Sequence, residues 1–256
     1  MNKKKYILLA IMVLGMAYFY AVYQYYSEPR LHKPYCTLSN KDDTVRIAYI
    51  GDSWAYLHEF HNCQIPHMLE CQIHQPVRVY NFGISGMTSK DIYECIYKNS
   101  EMKSFFQKRY YSYSVVTVGV NDTDRKMGSN YYKRSMDGIL QFLLANDIHP
   151  IILEIPNYDI VNSLKRQGHL RIFMRKISMY LNNTPIDCRE QFRKVLDTLI
   201  SENKYQNEVS IIRNQSWNDN YPEDLHHLYV KDGVHLNDKG YSKLDSIIVN
   251  EILRTY

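Results

Sequence analysis

No C-x-x-C spacing occurs among the five cysteines, Cys36, Cys63, Cys71, Cys95 and Cys188, which argues against a zinc or dithiol redox site. Even if Cys63 and Cys71 pair in an exported domain, an odd count leaves one thiol over, and buried free thiols are the default. A strong excess of either charge is missing as well. Thirty-one basic residues face 27 acidic ones, a net charge of +4, and Lys3, Lys4 and Lys5 supply three of those charges. The remainder is nearly neutral, without the basic footprint of a nucleic-acid partner. Internal repeats and low-complexity segments are lacking too. What is present is a chain of 256 residues with 45% hydrophobic content, enough for a full core and within the size of a single α/β domain. Tyrosine is abundant at 24 residues. Most tyrosines should be half-buried packing, and some around a cleft would suit a sugar or another flat, amphipathic ligand.

Residues 6–23 contain no charge and follow the three lysines. As a helix at ~1.5 Å per residue the run reaches ~27 Å, close to the ~30 Å hydrocarbon core of a bilayer. Tyr18, Tyr20, Tyr23, Tyr25 and Tyr26 gather at its far end, where an interfacial aromatic belt would sit. Neither an A-x-A-like cleavage site nor a lipobox-like cysteine follows. The expectation is a signal anchor over residues 1–26, with the lysines cytoplasmic and the rest of the chain extracytoplasmic, periplasmic or at the cell surface. Cleavage would make it a signal peptide and the product secreted. Residues 27–43, with Pro29 and Pro34 and no sustained periodicity, read as a linker. Residues 44–256 form the domain.

The domain alternates apolar strand-like runs with helical patterns. Strands are expected at 47–50, 77–81, 113–118, 150–155 and 209–213. Helices are expected at 58–72 (interrupted near Pro66), from Ser89, over 131–146, over 160–203 with a break near 182–185, and over 238–253 with Asn237 as N-cap. Such alternation implies right-handed parallel crossovers and a three-layer α/β/α domain with an about five-stranded parallel sheet.

All strands of a parallel sheet end on one edge, so the loops after them can converge. The first strand breaks on Gly51-Asp52-Ser53, where Asp52 or Ser53 also suits a helix N-cap. The second runs into a loop carrying Gly83 and Gly86, the third ends on Gly119-Val120-Asn121-Asp122, and Asp232-Gly233-Val234-His235 precedes the last helix. Together these loops supply the parts of acyl transfer. Ser53 would be the nucleophile, needing a base because its hydroxyl is protonated at neutral pH. His235 would be that base. Asp232, three residues earlier, would accept from the imidazole and fix its tautomer. The backbone N–H of Ser53, the N–H of Gly86 and the side-chain amide of Asn121 would bind the oxyanion, with Gly83 the alternative to Gly86.

This ordered set resembles the SGNH/GDSL hydrolase superfamily over about residues 45–256. The blocks are Gly51-Asp52-Ser53, Asn81-Phe82-Gly83-Ile84-Ser85-Gly86-Met87-Thr88, Gly119-Val120-Asn121-Asp122 and Asp232-Gly233-Val234-His235. The resemblance implies a flavodoxin-like sheet and Ser-His-Asp esterase chemistry with no cofactor and no metal. Trp54 stands where many members carry leucine and is expected to alter the wall beside the nucleophile. The expected substrate is an acylated small molecule or glycan, with an O-acetyl ester on carbohydrate in first place. Acyl transfer to a sugar, or carbohydrate binding without catalysis on the same fold, are the alternatives.

Other polar residues have plainer readings. His58 and His61 are expected at the surface or on the cleft wall, and His226 and His227 as loop filler. Glu154 should pair locally, and Asp122 should stabilise the loop behind Asn121. The stretch 160–203 is larger than a crossover needs, leaving packing and a substrate-binding wall both open.

Overall fold

Runs rich in Ile, Val and Tyr form strands because β-branched and aromatic side chains pack well on a pleated, buried surface. The computed structural model describes residues 3–37, 42–165, 167–202 and 205–256. Within them β1 (Val45–Gly51), β2 (Val77–Gly83), β3 (Tyr113–Thr117), β4 (His149–Leu153) and β5 (Ser210–Ile212) make one sheet, ordered β2-β1-β3-β4-β5 with every pairing parallel. Gly51 stands level with Gly83 on one side and Thr117 on the other. That register brings the ends of the three central strands, and the loops leaving them, to one edge.

Alternate strand residues point to opposite faces, and the core divides accordingly. Ile47, Tyr49, Val115 and Ile151 join one buried cluster, while Ala48, Ile50, Val116 and Ile152 join the other. The first face is covered by α2 (Ser53–His58) and α3 (Ile65–Ile73), which follow β1, and by the last helix. The second is covered by α4 (Ser89–Lys98) and α5 (Ser100–Gln107) after β2 and by α7 (Ser129–Leu144), which follows α6 (Val120–Arg125) beyond β3. After β4 come α8 (Ile160–Lys165), α9 (His169–Asn182) and α10 (Arg189–Glu202), and after β5 come α11 (Tyr221–Leu228) and α12 (Asp238–Thr255). This is the expected three-layer α/β/α arrangement.

The details differ from expectation in physically simple ways. Pro66 lies in the first turn of α3, where its missing N–H costs nothing, so it begins a helix rather than interrupting one. The helix expected over 58–72 is instead α3 alone, starting at Ile65, with residues 59–64 a turn after the short α2. The stretch 160–203 breaks near 182–185 as expected and again before His169; Arg166 and Asn203 lie outside the described residues. Asn237 does cap α12, its side chain accepting from the Gly240 N–H at 3.0 Å. All five cysteines are free, with Cys36 and Cys71 exposed and Cys188 buried.

Ahead of β1, α1 (Lys3–Tyr26) is long and apolar enough to cross a membrane, and its apolar side chains stand exposed. Its carboxyl end meets the domain. Lys90 Nζ donates to the carbonyls of Gln24 at 2.6 Å and Ser27 at 2.8 Å. The segment beyond, read as a linker, is extended but not free. Tyr93 accepts from the His32 N–H, Tyr35 donates to the Ile96 carbonyl, and Asn146 accepts from the Thr37 N–H, which straps it across α4 and α7. Met1, Asn2 and residues 38–41 lie outside the described residues.

Candidate active site

The turn after β1 satisfies both readings of Gly51-Asp52-Ser53. Asp52 is the N-cap of α2, accepting from the Trp54 N–H at 3.0 Å. Ser53 begins that helix, so its N–H has no partner within the helix. Tyr241 of α12 donates to the Trp54 carbonyl at 3.1 Å and holds the turn from below. The Trp54 side chain is buried and packs edge-on to Trp217, with ring centroids 5.9 Å apart. It therefore supports the turn from the core and is not part of the wall beside Ser53, because the helical turn carries position 54 to the inward face.

His235 Nε2 lies 2.9 Å from Ser53 Oγ, and His235 Nδ1 lies 2.6 Å from Asp232 Oδ2. The other carboxylate oxygen of Asp232 accepts from the N–H groups of Val234 at 2.8 Å and His235 at 2.9 Å. Burial raises the Asp232 pKa, but the hydrogen bonds from His235 and from these two N–H groups outweigh it and hold it at about 2. The carboxylate is charged at neutral pH and oriented by its own loop. That loop is closed by the Val230 N–H donating to the His235 carbonyl at 2.9 Å and by the Asn237 N–H donating to Leu228 at 2.8 Å.

The two glycines of the second block have different surroundings. A Cβ on Gly83 would lie 1.9 Å from the Tyr56 nitrogen, so glycine there lets β2 end against α2. Gly86 has φ of +79°, which favours glycine, and its position toward the cleft leaves room for a methyl group, with Arg125 Nη2 3.6 Å away. Gly86 lines the same cleft as Ser53, Asn121, Asp232 and His235, a cavity of about 300 Å³. The Asn121 side chain donates to the Met87 carbonyl at 3.0 Å and sits 3.4 Å from Asp52 Oδ2. The amide is thereby fixed beside the Gly86 loop. All five expected residues meet at one place. A larger cavity beside His149 and Arg213 contains none of them.

Two buried carboxyls support the floor of the site. Burial pushes Asp52 up to about 7, against the pull of the Trp54 N–H and the charge of His235. Burial likewise raises Asp122 to about 6. Asp122 accepts from Ser89 N at 2.8 Å and Ser89 Oγ at 2.6 Å, tying the third loop to α4 as expected. Glu154 is paired, but with residues beyond β5 and not with chain neighbours, accepting from Arg213 at 2.9 Å and the Asn214 N–H at 2.7 Å. His226 and His227 are exposed in α11 rather than in a loop.

His58 departs from expectation. It is fully buried, stacks on Tyr49 at 4.2 Å and lies 2.7 Å from Asp245 Oδ1. A hidden imidazole needs a partner, and Asp245 on α12 supplies it. Cys63 lies close enough to make a triad with ligand-type atoms. However, the pair already uses one ring nitrogen and the carboxylate, so the arrangement serves to pin α2 to α12. His61 is bonded to Asp238 at the surface and stacks on Tyr241.

The remaining cleft lining was not anticipated. Arg125 follows Asn121 by one helical turn and shares its face of α6, a relation readable once α6 is assigned. Ser163, Gln167 and Arg171 reach the cleft from α8, α9 and the turn between them. They are drawn over it because Asp124 accepts from Ser163 at 2.8 Å and pairs with Arg175. The stretch 160–203 thus divides: its first part, to Arg171, walls the cleft, and α10 packs into the core.

No family model and no curated protein matches the chain. Solved structures do. A lipase/acylhydrolase from Enterococcus faecalis aligns over 81% of this chain and 95% of its own, at 17% identity and TM-score 0.56. A GDSL-like lipase from Bacteroides thetaiotaomicron aligns over 82% and 89%, at 17% identity and TM-score 0.50. Axe2, an acetylxylan esterase from Geobacillus stearothermophilus, aligns over 81% and 94%, at 17% identity and TM-score 0.52. The chain has the SGNH hydrolase fold.

Proposed function

We propose that this SGNH-fold chain is a serine esterase that hydrolyses O-acyl esters, with an O-acetyl group on carbohydrate as the preferred class. The hydrogen-bonded run Asp232–His235–Ser53 carries the reading. Ser53 Oγ attacks the ester carbonyl carbon while His235 Nε2 takes the hydroxyl proton. The oxyanion is bound by the N–H groups of Ser53 and Gly86 and by the Asn121 amide. Collapse expels the alcohol, which leaves with the proton from His235, and an acyl group remains on Ser53. Water then attacks the acyl-enzyme, His235 taking its proton and returning it to Ser53. Asp232, charged and held by its own loop, stabilises the imidazolium in both halves. The likeness to an acetylxylan esterase and the tyrosine-rich composition support the carbohydrate acetyl ester.

The same reading places α1 as an uncleaved anchor. Its length and apolar surface support this, and the lysines on its amino side favour a cytoplasmic start and an extracytoplasmic domain.

The full chain in detergent should release p-nitrophenol from p-nitrophenyl acetate, and a fluorophosphonate should label Ser53. Ser53→Ala should lose both while keeping the unfolding transition of the parent. An alanine variant that retains the parental rate refutes the assignment.

A further inference from the structure

The cleft at Ser53 does not end at its arginines. Its wall at Asp124, Arg125, Gln167 and Arg171 is also the wall of a second cavity that reaches Tyr26 and Met174. Those two residues in turn line a third, a largely apolar groove of about 230 Å³ between the end of α1 and α9, walled by Val22, Tyr23, Ile177 and Leu181. From the nucleophile outward the order is therefore hydroxyl, cationic vestibule, apolar groove, then the exposed apolar length of α1.

The vestibule keeps a positive charge. Arg175 is neutralised by Asp124. Arg125 is held by uncharged partners, donating to Tyr25 Oη and to the Gly86 carbonyl, each at 2.5 Å. Arg171 is exposed and pairs with no carboxylate among the described residues. Two guanidinium groups facing one cavity suit a phosphate or similar anion, which planar donors bind well. The groove suits an alkyl chain, since removing each methylene from water is favourable.

Resting on the esterase reading above, we infer that the substrate is an anionic amphiphile of the membrane surface. Its tail lies in the α1–α9 groove, its phosphate lies at Arg125 and Arg171, and its O-acyl ester lies on the head group at Ser53. Three features support one occupant. Neighbouring cavities share wall residues, their chemistry changes in the order tail, anion and ester, and the groove is walled by the carboxyl end of the segment read as crossing the bilayer. A tail can then enter sideways from the lipid without leaving it. The anchor forms one wall of the binding site as well as holding the enzyme in place.

The test uses the full chain reconstituted in phosphatidylcholine vesicles and three esters. These are O-acetylglucosyl dodecyl phosphate, the same ester without phosphate (dodecyl O-acetylglucoside), and the same ester without a tail (O-acetylglucose phosphate). The complete amphiphile should exceed each of the others by about tenfold or more in kcat/KM. Arg171→Gln should bring the ratio between the phosphate-bearing and phosphate-free tailed esters toward one. Leu181→Asp, at an exposed position of the groove, should do the same to the ratio between tailed and tailless phosphates, which separates groove binding from simple partition into the vesicle. If the parent cleaves p-nitrophenyl acetate but treats all three esters alike, the inference fails and the esterase stands. The inference also fails if the tail preference survives Leu181→Asp. If none of the four esters is cleaved, the esterase reading fails and takes this inference with it.

Discussion

The side-chain amide of Asn121 donates to the main-chain carbonyl of Met87 at 3.0 Å. One N–H is thereby spent on fixing the amide beside Gly86, and the other lies toward Asp52 at 3.4 Å, too long to be a strong bond. An oxyanion at Ser53 would offer that second N–H a better acceptor. Asn121→Ala should lower kcat on a soluble ester by ~10²–10³ with KM nearly unchanged, because the bond forms in the transition state. Steady-state kinetics would decide: a raised KM with parental kcat would move Asn121 from oxyanion donor to ground-state binding.

Gly83 and Gly86 should respond differently to the same methyl group. Gly83→Ala drives a Cβ into the backbone of Tyr56 and should prevent stable folding, measured as loss of a cooperative melt. Gly86→Ala finds room but must hold φ of +79°, a strain of ~1–3 kcal/mol. It should fold with a lowered melting temperature and a reduced kcat. A stably folded, fully active Gly83→Ala would show that β2 does not need its close approach to α2.

Asp52 makes stability depend on pH. An unfolded carboxyl titrates near ~3.9, whereas burial raises the native one to about 7. Between those values the native state keeps a proton that the unfolded chain has lost, so stability falls as pH rises from ~4 to ~7. Asp52→Asn keeps an oxygen for the Trp54 N–H and removes that term. Its melting temperature relative to the parent should therefore be more favourable at about pH 8 than at about pH 5. A constant difference across that range would mean that Asp52 ionises normally.

If α1 is an anchor, the protein should remain in the membrane pellet through high-salt and carbonate washes. Mass spectrometry should recover peptides from residues 6–23 joined to the domain. A soluble form beginning beyond Tyr26 would identify the segment as a cleaved signal.

The alternation of strands and helices, the three layers and the convergence of the loops bearing the five proposed site residues were legible because each rests on a local pattern. An apolar run that stops on Gly51 or Gly119 marks a strand end whether or not its neighbours are known, and parallel pairing then brings the loops together. What stayed hidden depends on distant partners. His58 reads as a surface histidine until Asp245, 187 residues away, comes to meet it. Trp54 reads as a cleft residue until Trp217 receives it. Arg171 has no local mark at all, since only the attachment of α8 and α9 to Asp124 carries it over the cleft.

Ser53 and His235 are 182 residues apart in the chain, and the loop holding His235 is closed by Leu228 and by Asn237, the cap of α12. During synthesis α1 and the Gly51-Asp52-Ser53 turn leave the ribosome long before His235. Until α12 docks, places Tyr241 under the Trp54 carbonyl and seats His235, the growing chain carries an ordinary serine. On the proposed reading, with α1 as anchor and His235 as base, membrane delivery would come before ester cleavage, because the first is encoded early in the chain and the second late.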